Sequence, residues 1–426
     1  MINKFINTCL INKNKKAFDY KKAKTFRDLH DDTLKCIDMF KIKGIKEHDK
    51  AVLFITPSYT FYVLLLASIC YHLNIIVLDS YRNKKNTELI KKVDYIFVNN
   101  KTKFLSYCFF NKNIKRFNVS GFNQYSNTSY NYLQTTNDIV LTTYTSGTTG
   151  TPKKITRTIN DLSNQFEIIL SNINIDSNDV VIGMLPIYTL LAIVNGNTTV
   201  LTRKITSKAI NKYNVAIVLA PIAKLLKVKS PIRNLKKIYC GGAILYKAET
   251  EKIKYIFCNS VITYIYGASE GVLIGKTTIN EYVKQIFSFN YNINGMKIEI
   301  VNKNFDGVGE IVVSGLAVLG VKTHFTGDIG YIKDNMLHII GRLKYSNLEK
   351  RFYNYQIDEE TREENPRAKK VFSFYYNGNY YIVYKGKLDK KNKNYLYIKL
   401  YKIPTDNKHK TKLNYKKVID KIQETK

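Results

Sequence analysis

The sequence predicts an α/β fold: a large N-terminal domain of parallel-rich sheets with helices and a β-rich subdomain, followed by a small α+β C-terminal domain. Three observations carry this expectation. Between Thr25 and Leu78, helical and extended apolar segments alternate, as they do where parallel strands are joined through helices. Further short apolar runs, YIFV (95–98), VAIVLA (215–220) and VITYIY (261–266), have strand length and β-branched or aromatic content. From about Gly295 onward, helical periodicity gives way to extended segments separated by Gly and Asn turns, which reads as an antiparallel region.

The elements follow in order. FRDLHDDTLKCIDMFKIKG (26–44) places Phe26, Leu29, Cys36, Ile37 and Phe40 on one helical face and stops at Gly44. Asp49 and Lys50 open the strand AVLFI, Pro57 and Ser58 precede a second helix, and IIVLD (75–79) is the next strand. The polar, aromatic tract 118–138 reads as a surface connection. KIEIV, EIVVSG and MLHIIG supply the antiparallel segments, and a domain boundary is expected just past Gly341 and Arg342, giving domains 1–342 and 343–426. Beyond it, VFSFYY, the turn Asn377-Gly378-Asn379 and YYIVYKG read as a hairpin. No internal repeat is visible.

Composition bounds the function. The 426 residues include 33 Tyr and are 45% apolar, ample to bury a core, so global disorder is excluded. Lys and Arg number 67 against 34 Asp and Glu, a formal charge of +33 that draws anions of every kind: nucleotides, thiol cofactors, nucleic acid and anionic membrane surfaces. The lysines are dispersed, which equally suits ordinary solvated faces, and no nucleic-acid-binding motif accompanies them, so no nucleic-acid partner is expected. Six scattered cysteines (Cys9, Cys36, Cys70, Cys108, Cys240, Cys258) form no CxxC pair and read as small buried apolar residues in a reducing compartment. The first residues are too polar for a signal peptide. The longest apolar stretch, between Tyr62 and Leu78, is interrupted by Ser68, His72 and Asn74 and falls short of a spanning helix. A cytoplasmic protein is expected, with at most peripheral attraction to an anionic membrane.

The chemistry concentrates in DIVLTTYTSGTTGTPKKITRT (138–158). A strand-like run empties into a stretch where every residue from Thr145 to Thr151 is Gly, Ser or Thr. Glycines let backbone N–H groups approach an anion, the hydroxyls of Thr145, Ser146, Thr148 and Thr149 add donors, and Lys153 brings a full positive charge. The spacing is not that of a Walker loop. A bare Ser/Thr/Gly stretch can equally be a linker, but the ordered string YTSGTTGTPK resembles the phosphate loop of the adenylate-forming superfamily. That family includes acyl-CoA and aryl-CoA synthetases, luciferases and the adenylation domains of peptide synthetases.

The resemblance implies a set of roles. Thr145, Ser146, Gly147, Thr148, Thr149, Gly150 and Lys153 would hold the phosphates of ATP. YIYGASEG (264–271) looks like the family's YGxTE segment, with Ser269 in place of its threonine. Tyr266, followed by Gly267, would stack on adenine, Ser269 would touch phosphate, and Glu270 would hold Mg²⁺ and be catalytic. Read by itself, Glu270 is a carboxylate at a helix N-terminus. Gly241, Gly242 and Ala243 in IYCGGAIL resemble the glycine pair lining the adenine slot, although a Gly-Gly after a strand is also an ordinary turn. Asp328 in FTGDIGYI would accept hydrogen bonds from the ribose diol. Arg342 in GRLK would add a ribose or phosphate contact, with Lys344 at the pivot of a mobile C-terminal domain. IPTDNKHKTKLNYKKV (403–418) looks like the catalytic-lysine segment and favours Lys412 over Lys410.

Three stations depart from the family's pattern. PIYT (186–189) puts Thr189 where many relatives have histidine, beside the carboxylate pocket, and the stretch after it is short. The Gly-rich, IK-containing run expected after the pivot is replaced by YSNLEKRFYNYQIDEE (345–360), and the segment before the lysine is abbreviated. The leading expectation is ATP- and Mg²⁺-dependent activation of a fatty or aryl carboxylic acid, with transfer to CoA or to the phosphopantetheine of an acyl carrier protein. The alternatives are β-lactone-forming chemistry without a thiol, suggested by the DxxHxxK spacing of the tail, and a catalytically degenerate nucleotide-binding relative.

Overall fold

The computed structural model describes the chain except residues 20–21, 79–92, 127–129, 131–136, 146–152, 272, 321–322, 406–412 and 425–426. The contacts divide it into two compact units, residues 1–220 with 232–239, and residues 221–231 with 240–426.

In the first unit, the alternation read from the sequence becomes a six-stranded sheet, ordered Lys115–Asn118, Tyr95–Val98, Lys50–Phe54, Asn74–Val77, Ile139–Thr145, Lys153–Thr158. Every pairing is parallel except the last, Ile139–Thr145 with Lys153–Thr158, which is antiparallel. The helix Phe26–Ile42 packs its apolar face inward: Phe26, Leu29, Cys36, Ile37 and Phe40 are buried. It starts on a capping box in which Thr25 and Asp28 satisfy each other's backbone N–H, and it stops where Gly44 takes a φ of +69°. The apolar stretch from Tyr62 is a buried helix, Tyr59–Cys70, running into the strand Asn74–Val77. The unit also holds a second set of strands, in which Ile217–Pro221, Val180–Gly183, Thr198–Thr199 and Lys16–Phe18 pair parallel in that order.

The second unit is where antiparallel structure prevails. Ser288–Phe289, Met336–Arg342, Thr323–Lys333, Gly309–Gly315 and Met296–Val301 form one sheet in that order. Ala368–Tyr376 and Asn379–Gly386 form the expected hairpin, turning through Asn377 and Gly378 at φ of +46° and +78°. The strand Leu396–Lys399 joins it in parallel. The fold class read from the sequence is the one observed.

Two expectations change. Within the tract read as a surface connection, 119–124 is 3₁₀ structure kinked at Gly121, with Val119 and Phe122 buried, because two apolar side chains three apart are enough to dock a short segment. Of the six cysteines expected to be buried, Cys108 and Cys258 are exposed; all six are free thiols. Cys108 lies on the short helix Lys103–Phe109, where only Ser106 is buried, so the helix has little inward face to offer. Among the described residues, no helix is long and apolar enough to cross a membrane.

Candidate active site

In the first unit, the Ser/Thr/Gly-rich sequence lies between two strands whose register brings Thr145 opposite Lys153 and Tyr144 opposite Lys154. Ser146, Gly147, Thr148, Thr149 and Gly150, which connect these strands, lie outside the described residues, while the strands on either side are paired up to Thr145 and Lys153. Lys153 is exposed. The shoulders are held from behind: Arg157, 6% exposed, donates from Nε to Gln165 at 3.1 Å and from Nη1 to Thr143 Oγ1 at 3.0 Å. Thr189 is fully buried in this unit, its Oγ1 donating to the Leu185 carbonyl at 3.2 Å. A Cβ at Gly183 would meet that hydroxyl oxygen at 2.2 Å, so the helix Pro186–Val194 sits hard against the strand before it.

In the second unit, three residues singled out from separate motifs meet. Tyr266, at the end of the strand Val261–Tyr266, donates its hydroxyl to Asp328 Oδ2 at 2.9 Å. Arg342, at the end of the strand Met336–Arg342, places Nε 2.9 Å from Asp328 Oδ1. The side chains of Asp328 and Arg342 are 10% and 22% exposed. Asp328 lies in the strand Thr323–Lys333, where Gly327 at φ +69° donates its N–H to Glu310 and the Asp328 N–H donates to Thr326 Oγ1. Asp328 holds the guanidinium firmly protonated against the opposing effect of burial. Burial, reinforced by Asp328, pushes the Tyr266 phenol well above its ordinary range, so it acts as a donor.

Gly241 ends the strand Lys237–Gly241, and Gly242 and Ala243 lead the chain away from it. A Cβ on Gly241 would meet the Ile265 carbonyl oxygen at 2.5 Å, and Gly242 has φ +90°, so this path requires both glycines. Two buried phenols fix the turn: Tyr264 donates to the Ala243 carbonyl and Tyr282 to the Leu245 carbonyl, each at 2.7 Å. Gly267 is exposed, while Ser269 and Glu270 are half-buried. Glu270 Oε2 lies 3.9 Å from His324 Nε2, and its carbonyl accepts from the Leu319 N–H. Lys412 lies outside the described residues; Thr405 and Leu413 pair as an isolated bridge on either side of its segment.

The sequence reading missed Tyr264, Tyr282 and His324. Tyr264 falls in the quoted segment YIYGASEG, and its alternation with Tyr266 along a strand is the signal that could have found it. Among the described residues there is no cluster of three or more His, Cys, Asp or Glu able to hold a metal. A cation at Glu270 would therefore take its remaining ligands from phosphate oxygens and water, which is how Mg²⁺ is usually held.

The sequence profile of AMP-binding enzymes matches residues 7–320. A putative long chain fatty acid-CoA ligase, VraA, of Staphylococcus haemolyticus is 27% identical over 231 residues, 48% of this chain and 49% of that protein. The chain thus spans about half the length of that curated relative. Among solved structures, o-succinylbenzoate coenzyme A synthetase of Bacillus subtilis in complex with ATP and magnesium ion superposes with a TM-score of 0.83 at 15% identity, over 98% of this chain and 99% of that one. A fatty acyl CoA synthetase of Mycobacterium tuberculosis does so with a TM-score of 0.76 at 14% identity, over 100% and 98%.

Proposed function

Because this chain belongs to the AMP-binding enzyme family, we propose that it uses ATP to activate a carboxylic acid as an acyl-adenylate and passes the acyl group to a thiol. The observation that carries the reading is the Tyr266–Asp328–Arg342 cluster. A carboxylate offers about four acceptor positions. Arg342 and Tyr266 take one on each oxygen, which fixes the group and leaves it able to receive the two hydroxyls of a ribose.

In the first step the substrate carboxylate attacks the α-phosphorus, a P–O bond to pyrophosphate breaks, and the mixed anhydride forms. Two anions must be brought in line against their repulsion, so the site's contribution is neutralisation and orientation. Loop residues 145–150 and Lys153 bind the phosphates, Asp328 and Arg342 orient the ribose, and Tyr266, Gly241, Gly242 and Ala243 line the adenine, with Gly267 and Ser269 beside the phosphates. Glu270 would hold the Mg²⁺ that accompanies ATP, which when bound neutralises phosphate charge. Lys412 stabilises charge on the reacting oxygens. Thiol attack on the anhydride carbonyl then releases AMP and forms the thioester, with CoA or a carrier protein's phosphopantetheine as acceptor. Residues 343–426 act as the small C-terminal domain, turning about Lys344.

The two solved relatives act on an aryl acid and on fatty acids by name, as VraA is named for long-chain fatty acids. A fatty or aryl acid is therefore the proposed substrate. ATP–pyrophosphate exchange across fatty, aryl and amino acids tests the first step, and acyl-CoA formation the second. Exchange with at least one fatty or aryl acid, abolished in Lys412→Ala while nucleotide binding persists, is expected. Exchange without any thioester product would favour the thiol-independent alternative.

A further inference from the structure

We infer that Asn354 and Asp358, one turn apart on the helix Asn354–Glu364, are positioning residues for the two sides of the nucleoside site: Asn354 for Arg342, Asp358 for the glycine turn 241–246. The inference rests on the nucleotide reading of that site and adds residues no motif there contains. Residues four apart lie on one helical face, and here both are polar and buried, at 0% and 1% exposure.

Asn354 is a hub. Its Oδ1 accepts the Arg342 backbone N–H at 2.7 Å and the Ser346 hydroxyl at 3.1 Å. Its backbone carbonyl accepts from Ser373 Oγ at 2.8 Å, and its amide nitrogen reaches the Tyr415 hydroxyl at 3.4 Å. The fit around it is close: a Cβ on Gly341 would lie 2.9 Å from that same Oδ1. Asn354 thus sets where the strand carrying Arg342 ends.

Asp358 does the equivalent for the glycine turn. Its Oδ2 accepts the Tyr246 hydroxyl at 2.5 Å, and its Oδ1 accepts the Ser373 N–H. Arg362, one turn further on, stacks over the Tyr246 ring at 3.8 Å. The turn is therefore held at three points, Ala243 by Tyr264, Leu245 by Tyr282 and Tyr246 by Asp358. A helix needed only for packing could fill these positions with apolar side chains at no desolvation cost. Instead the side chains of Asn354 and Asp358 are directed at the backbone end of Arg342 and at the close of the glycine turn, and Ser373 bonds to the Asn354 backbone carbonyl and to the Asp358 carboxylate.

The test uses the full chain and two discrimination ratios measured by calorimetric titration: ATP against 2′,3′-dideoxy-ATP for the ribose side, and ATP against GTP for the adenine side. Asn354→Ala should lower the first ratio by roughly two- to tenfold, the range of one hydrogen bond, and leave the second nearly unchanged. Asp358→Asn should do the reverse. Tyr246→Phe removes only a hydroxyl, keeps the ring packing, and should reproduce the Asp358→Asn result even if that variant folds poorly. A merely structural role would lower the melting temperature and weaken all nucleotides alike. Wild-type binding with both ratios unchanged in the variants overturns this inference alone; wild-type protein that binds no nucleotide overturns the nucleotide reading with it.

Discussion

In the first unit, exposed Lys153 stands at the mouth of an antiparallel strand pair whose seven intervening residues are Gly, Ser, Thr and Pro. In the second, Asp328 sits 10% exposed between Arg342 and Tyr266, which reach it from 14 and 62 residues away along the chain. The first region is drawn from neighbours in sequence, and its exposed Lys153 can be replaced without disturbing a core. The second is an interlocked buried cluster, in which each group is the reason the next is tolerated out of water. Binding and stability are separable in the first and joined in the second.

The largest effect should come from breaking the buried side. Arg342→Leu leaves the Asp328 carboxylate without its cation and should cost about 3 to 5 kcal/mol in a urea titration, together with nucleotide binding. A stability loss within about 0.5 kcal/mol would place the pair among ordinary surface contacts and dissolve the contrast.

Next is Asp358, hydrogen-bonded to Tyr246 and Ser373 and under the field of Arg362. Burial pushes its carboxyl up to about 7, with Arg362 and the hydrogen bonds from Tyr246 and Ser373 opposing. A carboxyl whose folded value lies above its unfolded one contributes stability that is present below about pH 4 and is lost as pH rises through about 7. Wild-type stability minus that of Asp358→Asn should therefore fall between those limits, by on the order of 2 to 4 kcal/mol. A difference that is flat or rises with pH contradicts the assignment.

On the other side of the comparison, Lys153→Ala should weaken phosphate-dependent activity by about 1.5 to 3 kcal/mol, the range of a charged hydrogen bond, with an unchanged melting curve. A drop in melting temperature would make the two regions alike. The smallest effect is expected just behind that strand pair, where Thr158 and Asp161 form the capping box of the helix Ile159–Asn172. Thr158→Ala should cost about 1 kcal/mol in urea and leave activity intact.

The same contrast governs what could be read in advance. VITYIY and YIFV are strands at the expected residues because strand length and β-branched or aromatic content are local properties. The turn at Asn377-Gly378 was equally visible, since two successive positive φ angles call for those residue types. The strand Thr323–Lys333 was not, although it carries Asp328: Gly327, Asp328 and Gly330 in its middle are weak strand formers, and its register shifts between Ile329 and Gly330. Nor could sequence alone pair Tyr246 with Asp358, 112 residues apart, because nothing in either neighbourhood names the other. Motifs named Tyr266, Asp328 and Arg342 separately, and the structure brings these three together; the groups that hold them in place were not legible.

The central claim is that the chain binds ATP, the Asp328 cluster receiving its ribose, and that a carboxylate attacks the α-phosphorus of that nucleotide. Acid-dependent ATP–pyrophosphate exchange by the purified full chain tests it most directly. The account predicts exchange that requires Mg²⁺ and a fatty or aryl acid, and that falls by roughly tenfold or more in both Asp328→Ala and Lys153→Ala. Exchange at the wild-type rate in both variants, or none with any acid although ATP is bound, would contradict it.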